Sequence, residues 1–283
     1  MPLPEYAGAA SHKRYALALR LAESCPPELG SELALTGSTA AGLADEASDL
    51  ELNLWAETIP PADARVAWLR AARVQNIQVF EQPRPDDSYW IGGRLDDVSL
   101  EVGWQTLEIA DANVQKLLSG GMPQVMAYIF VNAIPFRTGG RLPAWQESLR
   151  AYSEFVQAQA VQQALGRWSK PDYIDGLLRL ARRGERLALV ETLLGDMKEM
   201  MALLYAVNRR WQPSRKWTLS AARTFALMPE RWRERMDEVL TAAPEASIRL
   251  HAALLMDALA LVPEAFDASA AVTVLREATP DEA

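Results

Sequence analysis

Cysteine is nearly absent: Cys25 is the only one in a chain of 283 residues. No intrachain disulfide can form and no thiolate metal cluster can be built, which points to a reducing, cytoplasmic setting. Histidine is almost as scarce. The two present, His12 and His251, lie far apart and outside any metal-ligand spacing, so zinc hydrolysis and a serine–histidine triad both lack support. Both read as ordinary helix residues. No glycine-rich loop ends in Gly-Lys-Ser or Gly-Lys-Thr, which removes a P-loop NTPase. No apolar run approaches the roughly eighteen residues a spanning helix needs. The opening MPLPEYAGAASHKRYALALRLAES has no basic start followed by an apolar core, so export and membrane insertion are not expected. Basic charge is short as well: 29 Lys and Arg against 37 Asp and Glu leave a formal net charge of −8. That balance disfavours nucleic acid as a partner and suits a small or cationic substrate.

What the chain does have is an ordinary globular composition, 49% hydrophobic and 23% charged, and a length that implies two domains. Residues 11 to 24 carry apolar side chains at helical spacing and stop before Pro26-Pro27. A strand is expected at Glu32 to Thr36 and another at Asp49 to Leu54, followed by a helix from Ala62 to Arg73. Further strands are expected at Gln75 to Glu81, Ser88 to Arg94, Asp97 to Trp104 and around Ala127 to Ala133, with a helix near Thr106 to Leu118. The sheet should be mixed or antiparallel. From about Ala144 helical periodicity dominates, with segments near 144–166, 171–182, 185–209, 217–227, 230–241 and 244–261 and a frayed tail of about fifteen residues. The expected fold class is therefore α+β, a mixed-sheet domain over 1–143 and a helical domain over 144–283.

Two carboxylates interrupt the strand at 49 to 54. Leu50, Leu52 and Leu54 point to one face and Asp49, Glu51 and Asn53 to the other, with residues two apart about 6 to 7 Å from each other at the backbone. Paired hard oxygen ligands at this spacing suit one or two Mg²⁺ ions, which bridge nucleotide phosphates and stabilise in-line attack on phosphorus. Gly37-Ser38, at the end of the preceding strand, lets backbone amides and a hydroxyl approach phosphates closely. In Val98-Ser99-Leu100-Glu101-Val102-Gly103-Trp104 the alternation puts Glu101 on the face opposite the apolar residues. It can meet the pair across neighbouring strands as a third metal ligand or as a general base.

This arrangement, Gly-Ser, a spacer, Asp-apolar-acid and a later acid on its own strand, resembles the DNA polymerase β nucleotidyltransferase superfamily, particularly its small antibiotic-type and minimal members. The resemblance covers the organisation of residues 11 to 150 and is sharpest from Gly37 to Glu51. It implies Gly37 and Ser38 at the phosphates of a nucleoside triphosphate, Asp49 and Glu51 on Mg²⁺, and Glu101 as third carboxylate. The implied activity is transfer of a nucleoside monophosphate, AMP from ATP, to a hydroxyl of a small molecule or protein side chain, with release of pyrophosphate. Two departures stand out: Ala40-Ala41-Gly42 carries no arginine where members often have one, and Glu51 replaces a frequent Asp. A non-catalytic nucleotide- or ligand-binding protein of the same fold is the competing reading, and a structural interaction module a third.

The stretch LLYAVNRRWQPSRKW, residues 203 to 217, crowds Asn208, Arg209, Arg210, Arg215 and Lys216 around a helix end at Pro213. Cations there are favoured by the helix dipole alone. The functional alternative places Asn208 and Lys216 at the triphosphate or its leaving pyrophosphate. Asparagine followed by lysine-tryptophan also resembles helical domains attached to some nucleotidyltransferases. Trp55, Trp90, Trp104 and Trp217 are candidates for a pocket that stacks a ring, against the commoner role of core residues. Asp86-Asp87 and Asp96-Asp97 read as turns, as does Arg182-Arg183-Gly184-Glu185.

Overall fold

A computed structural model describes residues 2–80 and 82–278. Its described part divides into two compact units, one within residues 2–153 with 213–221 and the other within residues 154–212 with 222–278. The first unit is built on a six-stranded mixed sheet, and the second is entirely helical among its described residues.

In the first unit α1 (Ala9–Ser24) leads into β1 (Glu32–Thr36), the single-turn α2 (Gly37–Ala40) and β2 (Leu50–Ala56). After α3 (Ala62–Ala71) come β3 (Gln75–Val79), β4 (Tyr89–Leu95) and β5 (Val98–Thr106). Then follow α4 (Leu107–Leu118), α5 (Gln124–Asn132), β6 (Ile134–Arg137) and α6 (Arg141–Arg150). The sheet order is β3-β4-β5-β2-β1-β6, with β2 and β5 parallel and the other pairs antiparallel. The expected third strand reached Glu81, which lies outside the described residues.

The period-two alternation fixes which face of the sheet is core. Leu50, Leu52 and Leu54 are fully buried, with Leu100, Val102 and Trp104 from β5, under Leu17 and Leu21 of α1 and Trp68 and Leu69 of α3. Shifting β2 by one residue would bury its acids instead, so the register is strongly specified. It sets Glu51 opposite Glu101 on β5 and opposite Thr36 on β1. Arg14, 2% exposed, ties α1 to the loop between α2 and β2: its Nε donates to Ser48 O at 2.9 Å and its second terminal nitrogen to Glu46 O at 3.0 Å.

Several expectations are corrected. The strand expected around Ala127 to Ala133 is a helix, α5, entered from Pro123, and the strand follows it as β6. The run is rich in aromatic and β-branched residues, which favours strand locally, but Pro123 presets the backbone for a helix start. The long helix expected at 144–166 is two. One is α6, whose start is drawn back to Arg141 because the buried Glu32 carboxylate accepts from the Gly139 and Arg141 amides, both at 2.9 Å. The other is α7 (Glu154–Trp168), which opens the second unit. That unit continues with α8 (Tyr173–Arg182) and α9 (Arg186–Val207). The helix expected at 217–227 is α10 (Thr218–Ala221), in the first unit, followed by a 3-10 turn, Ala222–Thr224, in the second. After α11 (Trp232–Thr241) and α12 (Pro244–Leu259), the tail expected to fray forms α13 (Ser269–Arg276), which buries Ala271, Val274 and Leu275. The final residues 279–283 of that tail lie outside the described residues. No helix among the described residues is long and apolar enough to cross a membrane.

His251 is not an ordinary helix residue. It is 0% exposed, like Asp196. Its Nε2 lies 3.5 Å from Asp196 Oδ2 and 3.1 Å from the Tyr173 hydroxyl, which donates to Asp196 Oδ2 at 2.8 Å. Arg167 Nε also donates to this carboxylate. A buried charge needs such partners, and the cluster joins α7, α8, α9 and α12 at the centre of the second unit.

Candidate active site

The sheet face opposite the leucines carries Glu51, Asn53 and Glu101. β1 ends at Thr36 and the chain turns through Gly37, whose φ of 64° is a conformation glycine adopts without strain. A Cβ at this position would also sit 2.6 Å from the Glu51 carboxyl carbon. The backbone asks for glycine here, and any larger residue would also displace the Glu51 carboxylate beside it. Ser38 follows, buried, with its Oγ lacking a hydrogen-bond partner.

Asp49 precedes β2 and Glu51 sits within it. Asp49 Oδ1 is buried without a partner, an arrangement that costs free energy unless something charged or hydrogen-bonding meets it. Burial, and then the charge of Asp49, push the Glu51 carboxyl up from 4.5 to about 7. Lys216 and Arg84 act in the opposite direction, and Glu101 adds to the rise. Lys216 belongs to the stretch Pro213–Ala221 that returns to the first unit, so the sequence distance between it and Glu51 is bridged inside one compact body. Two residues further along β2, Asn53 Nδ2 donates to Thr36 Oγ1 at 2.6 Å. A Cβ on Gly103 would lie 2.7 Å from Asn53 Oδ1.

Glu101 is placed on this face opposite Glu51, but its carboxylate is engaged. Arg84, in the segment between β3 and β4, donates to Glu101 Oε2 at 3.0 Å, and its guanidinium lies 4.0 Å above the Trp90 ring. Among the described residues no three His, Cys, Asp or Glu side chains gather closely enough to hold a metal ion. The unpartnered Asp49 Oδ1 and the crowded Glu51 carboxylate, which lies against Gly37, nevertheless suit a divalent cation with phosphate oxygens as its remaining ligands.

Asn208 belongs to the second unit. It caps α9: its Nδ2 donates to Leu204 O and Leu227 O, both at 2.8 Å, and its Oδ1 accepts from the Leu227 amide at 3.1 Å. Of the tryptophans, Trp55 and Trp90 line a cavity of about 410 Å³ that reaches Glu51. Trp104 is core, its Nε1 donating to Leu29 O at 3.2 Å and its ring edge-on to Trp68. Asp96 and Asp97 form surface ion pairs with Arg20 and Lys13, and Asp86 accepts from Ser88. Asp96 and Asp97 do surface work, and Asp86, held in its turn by Ser88, also lines the cavity.

Sequence reasoning missed Arg84 and Arg14. Arg84 carried no motif, standing between Pro83 and Pro85. Arg14 lay at a helical position where exposure is the ordinary outcome, and only its burial reveals that it holds the loop leading to Asp49.

A family described as a domain of unknown function, DUF4037, matches residues 123–218. That stretch runs from α5 to α10, and both of its ends fall in the first unit. No curated protein matches the chain. Among solved structures the chain is similar to a nucleotidyltransferase-like protein from Exiguobacterium sibiricum, with 12% identity, a TM-score of 0.41, and coverage of 95% of this chain and 77% of that one. The α+β architecture, a mixed sheet followed by helices, is the fold class expected from the sequence.

Proposed function

We propose that the protein is a Mg²⁺-dependent nucleotidyltransferase that moves a nucleoside monophosphate, AMP from ATP, onto a hydroxyl of a small molecule or protein side chain. The observation that carries this reading is the pair Asp49 and Glu51 beside Gly37. Two carboxylates share one face, one has a buried oxygen without a partner and the other is held up to about 7. Such strain between like charges is what an arriving cation relieves.

In the reaction the acceptor oxygen forms a bond to the α-phosphorus, the bond from that phosphorus to the bridging oxygen of the β-phosphate breaks, and pyrophosphate leaves. The hydroxyl proton passes to a carboxylate. Glu101 is the base in this scheme once Arg84 releases it, or else completes the metal ligands with Asp49 and Glu51. Bound Mg²⁺, one ion or two, would supply charge neutralisation at the phosphates. Gly37 lets the Glu51 carboxylate lie against the turn, where a cation held by it would meet the phosphates, and the Ser38 hydroxyl is a donor for one of their oxygens. Lys216 offers positive charge to the departing pyrophosphate. Asn208 belongs to this set by resemblance only, because its amide is already used as a helix cap.

The Arg84–Glu101 pairing favours a second reading, a nucleotide- or ligand-binding protein that no longer turns over. Thermal shift of the wild type and Asp49→Asn with ATP, GTP, CTP and UTP, each with and without Mg²⁺, tests both. A Mg²⁺-dependent rise with ATP that is lost in Asp49→Asn supports the site. Release of pyrophosphate with a screened acceptor then separates the enzyme from the binding protein, and no rise with any nucleotide overturns both.

A further inference from the structure

The cavity reached by Glu51 lies within the first unit, between the sheet and α5. It runs along β2 from Glu51 past Asn53 to Trp55, whose register partners on β1 are Thr36, Ala34 and Glu32. Its long direction therefore leads away from Gly37 and Ser38, where phosphates belong in the reading above. Trp90 forms one wall, and Met122, Met126, Ile129 and Phe130 form the wall opposite the sheet. Methionines of this kind repack around differing apolar shapes.

The polar groups on the lining largely satisfy one another. Ser88 Oγ donates to Asp86 Oδ1 at 2.5 Å and accepts from Trp90 Nε1 at 2.6 Å. The Gln105 amide donates to Asp86 O, and the Asn53 amide donates to Thr36. Few donors are left to read the acceptors on the edge of a nucleobase. Charge narrows the occupant further. The acids on the lining are Glu51 and Asp86, and the single cation, Arg84, is spent on Glu101 and on the Trp90 face. An anionic ligand would find no uncommitted cation on the lining, and burying it unpaired is costly.

We propose that this cavity is the acceptor site and takes an uncharged or cationic alcohol with an aromatic or branched apolar body, its hydroxyl directed to the Glu51 end. The assignment of the hydroxyl rests on the nucleotidyl-transfer reading; the ligand class rests on the lining alone. A volume of about 410 Å³ suits a compact ligand of this kind.

The neutral dye N-phenyl-1-naphthylamine, titrated into the full chain, reads the cavity by its fluorescence. The expected result is saturable binding, displaced by 2-phenylethanol but not by phenylacetate or adenosine, and weakened at least tenfold in both Met126→Trp and Ile129→Trp. Both side chains are only partly buried, on successive turns of α5, so the two variants fill the space without opening the core, and far-UV circular dichroism verifies their folding. Both should keep the thermal shift given by Mg²⁺ and ATP. Unchanged dye affinity in folded variants overturns the proposal, as does displacement by adenosine or equal displacement by phenylacetate. If the wild type gives no shift with Mg²⁺ and ATP while the dye behaves as expected, the transfer reading falls and the ligand class stands.

Discussion

Arg84 donates to Glu101 across 3.0 Å while lying face-on to Trp90. The Glu101 carboxylate is thus paired with a residue from the segment between β3 and β4, and in the proposed reaction it serves as base or ligand once that contact opens. The pair is partly exposed, with 44% of the Arg84 side chain and 33% of that of Glu101 accessible.

Arg84→Ala should accordingly cost little stability, under about 1 kcal/mol, because solvent screens such pairs. Its effect on nucleotide affinity or turnover should be larger than its effect on the urea midpoint. A fall in stability of several kcal/mol with unaltered nucleotide binding would make Arg84 a structural residue instead.

Glu51 supplies a pH prediction. Its folded value, about 7 against an ordinary 4.5, is raised, so the fold prefers the protonated carboxyl. The resulting stability is fully present below the unfolded value and is lost as pH rises through about 7. A cation needs the ionised form, so Mg²⁺ binding should release protons near pH 6 and tighten between pH 6 and 8. Calorimetry in buffers of different ionisation enthalpy measures that release. Asp49→Asn removes a like charge and should bring the Glu51 titration down, seen directly by carboxyl carbon NMR; an unmoved titration would break the proposed coupling.

Gly37→Ala combines a positive φ with a Cβ placed against the Glu51 carboxyl. A loss of about 1 to 3 kcal/mol is expected, together with a weakened Mg²⁺-dependent nucleotide shift. A variant as stable as the wild type by denaturant melting would contradict the packing described at this turn.

Arg14→Met keeps much of the side-chain volume but strips the donors from Ser48 O, Glu46 O and Ala10 O. The expected loss is roughly 2 to 3 kcal/mol. Hydrogen exchange should quicken in residues 44–49, next to Asp49, more than in β1. Uniform exchange changes across the first unit would argue against a local anchoring role.

Much of this site was legible because it is written in strand alternation. Asp49, Glu51 and Asn53 against Leu50, Leu52 and Leu54 can be separated by counting alone, and the same count places Glu101 on the acid face. Residues 124–132 were illegible, because the side chains that wall the cavity are those that favour strands locally, and Pro123 outweighs them. The Arg84–Glu101 contact depends on the path of a segment and a rotamer, for which no spacing exists. Lys216 was found as a charge near a helix end, but that its segment returns to the unit carrying Glu51 depends on the path of the chain. His251 looked ordinary because solvent exposure, not sequence, distinguishes a surface histidine from one sealed against Asp196.

The chain leaves the first unit after Ser153, comes back for Pro213–Ala221 and departs again. Neither body is a continuous piece of sequence, so no single cut yields one of them whole. A ribosome that has just finished the sheet has not yet made Lys216; more than sixty further residues must emerge before the charge facing Glu51 exists. Fragment expression ending near residue 153 should therefore give a sheet whose acid face lacks Lys216, and recombination that exchanges helical halves between relatives would carry that counter-charge with them.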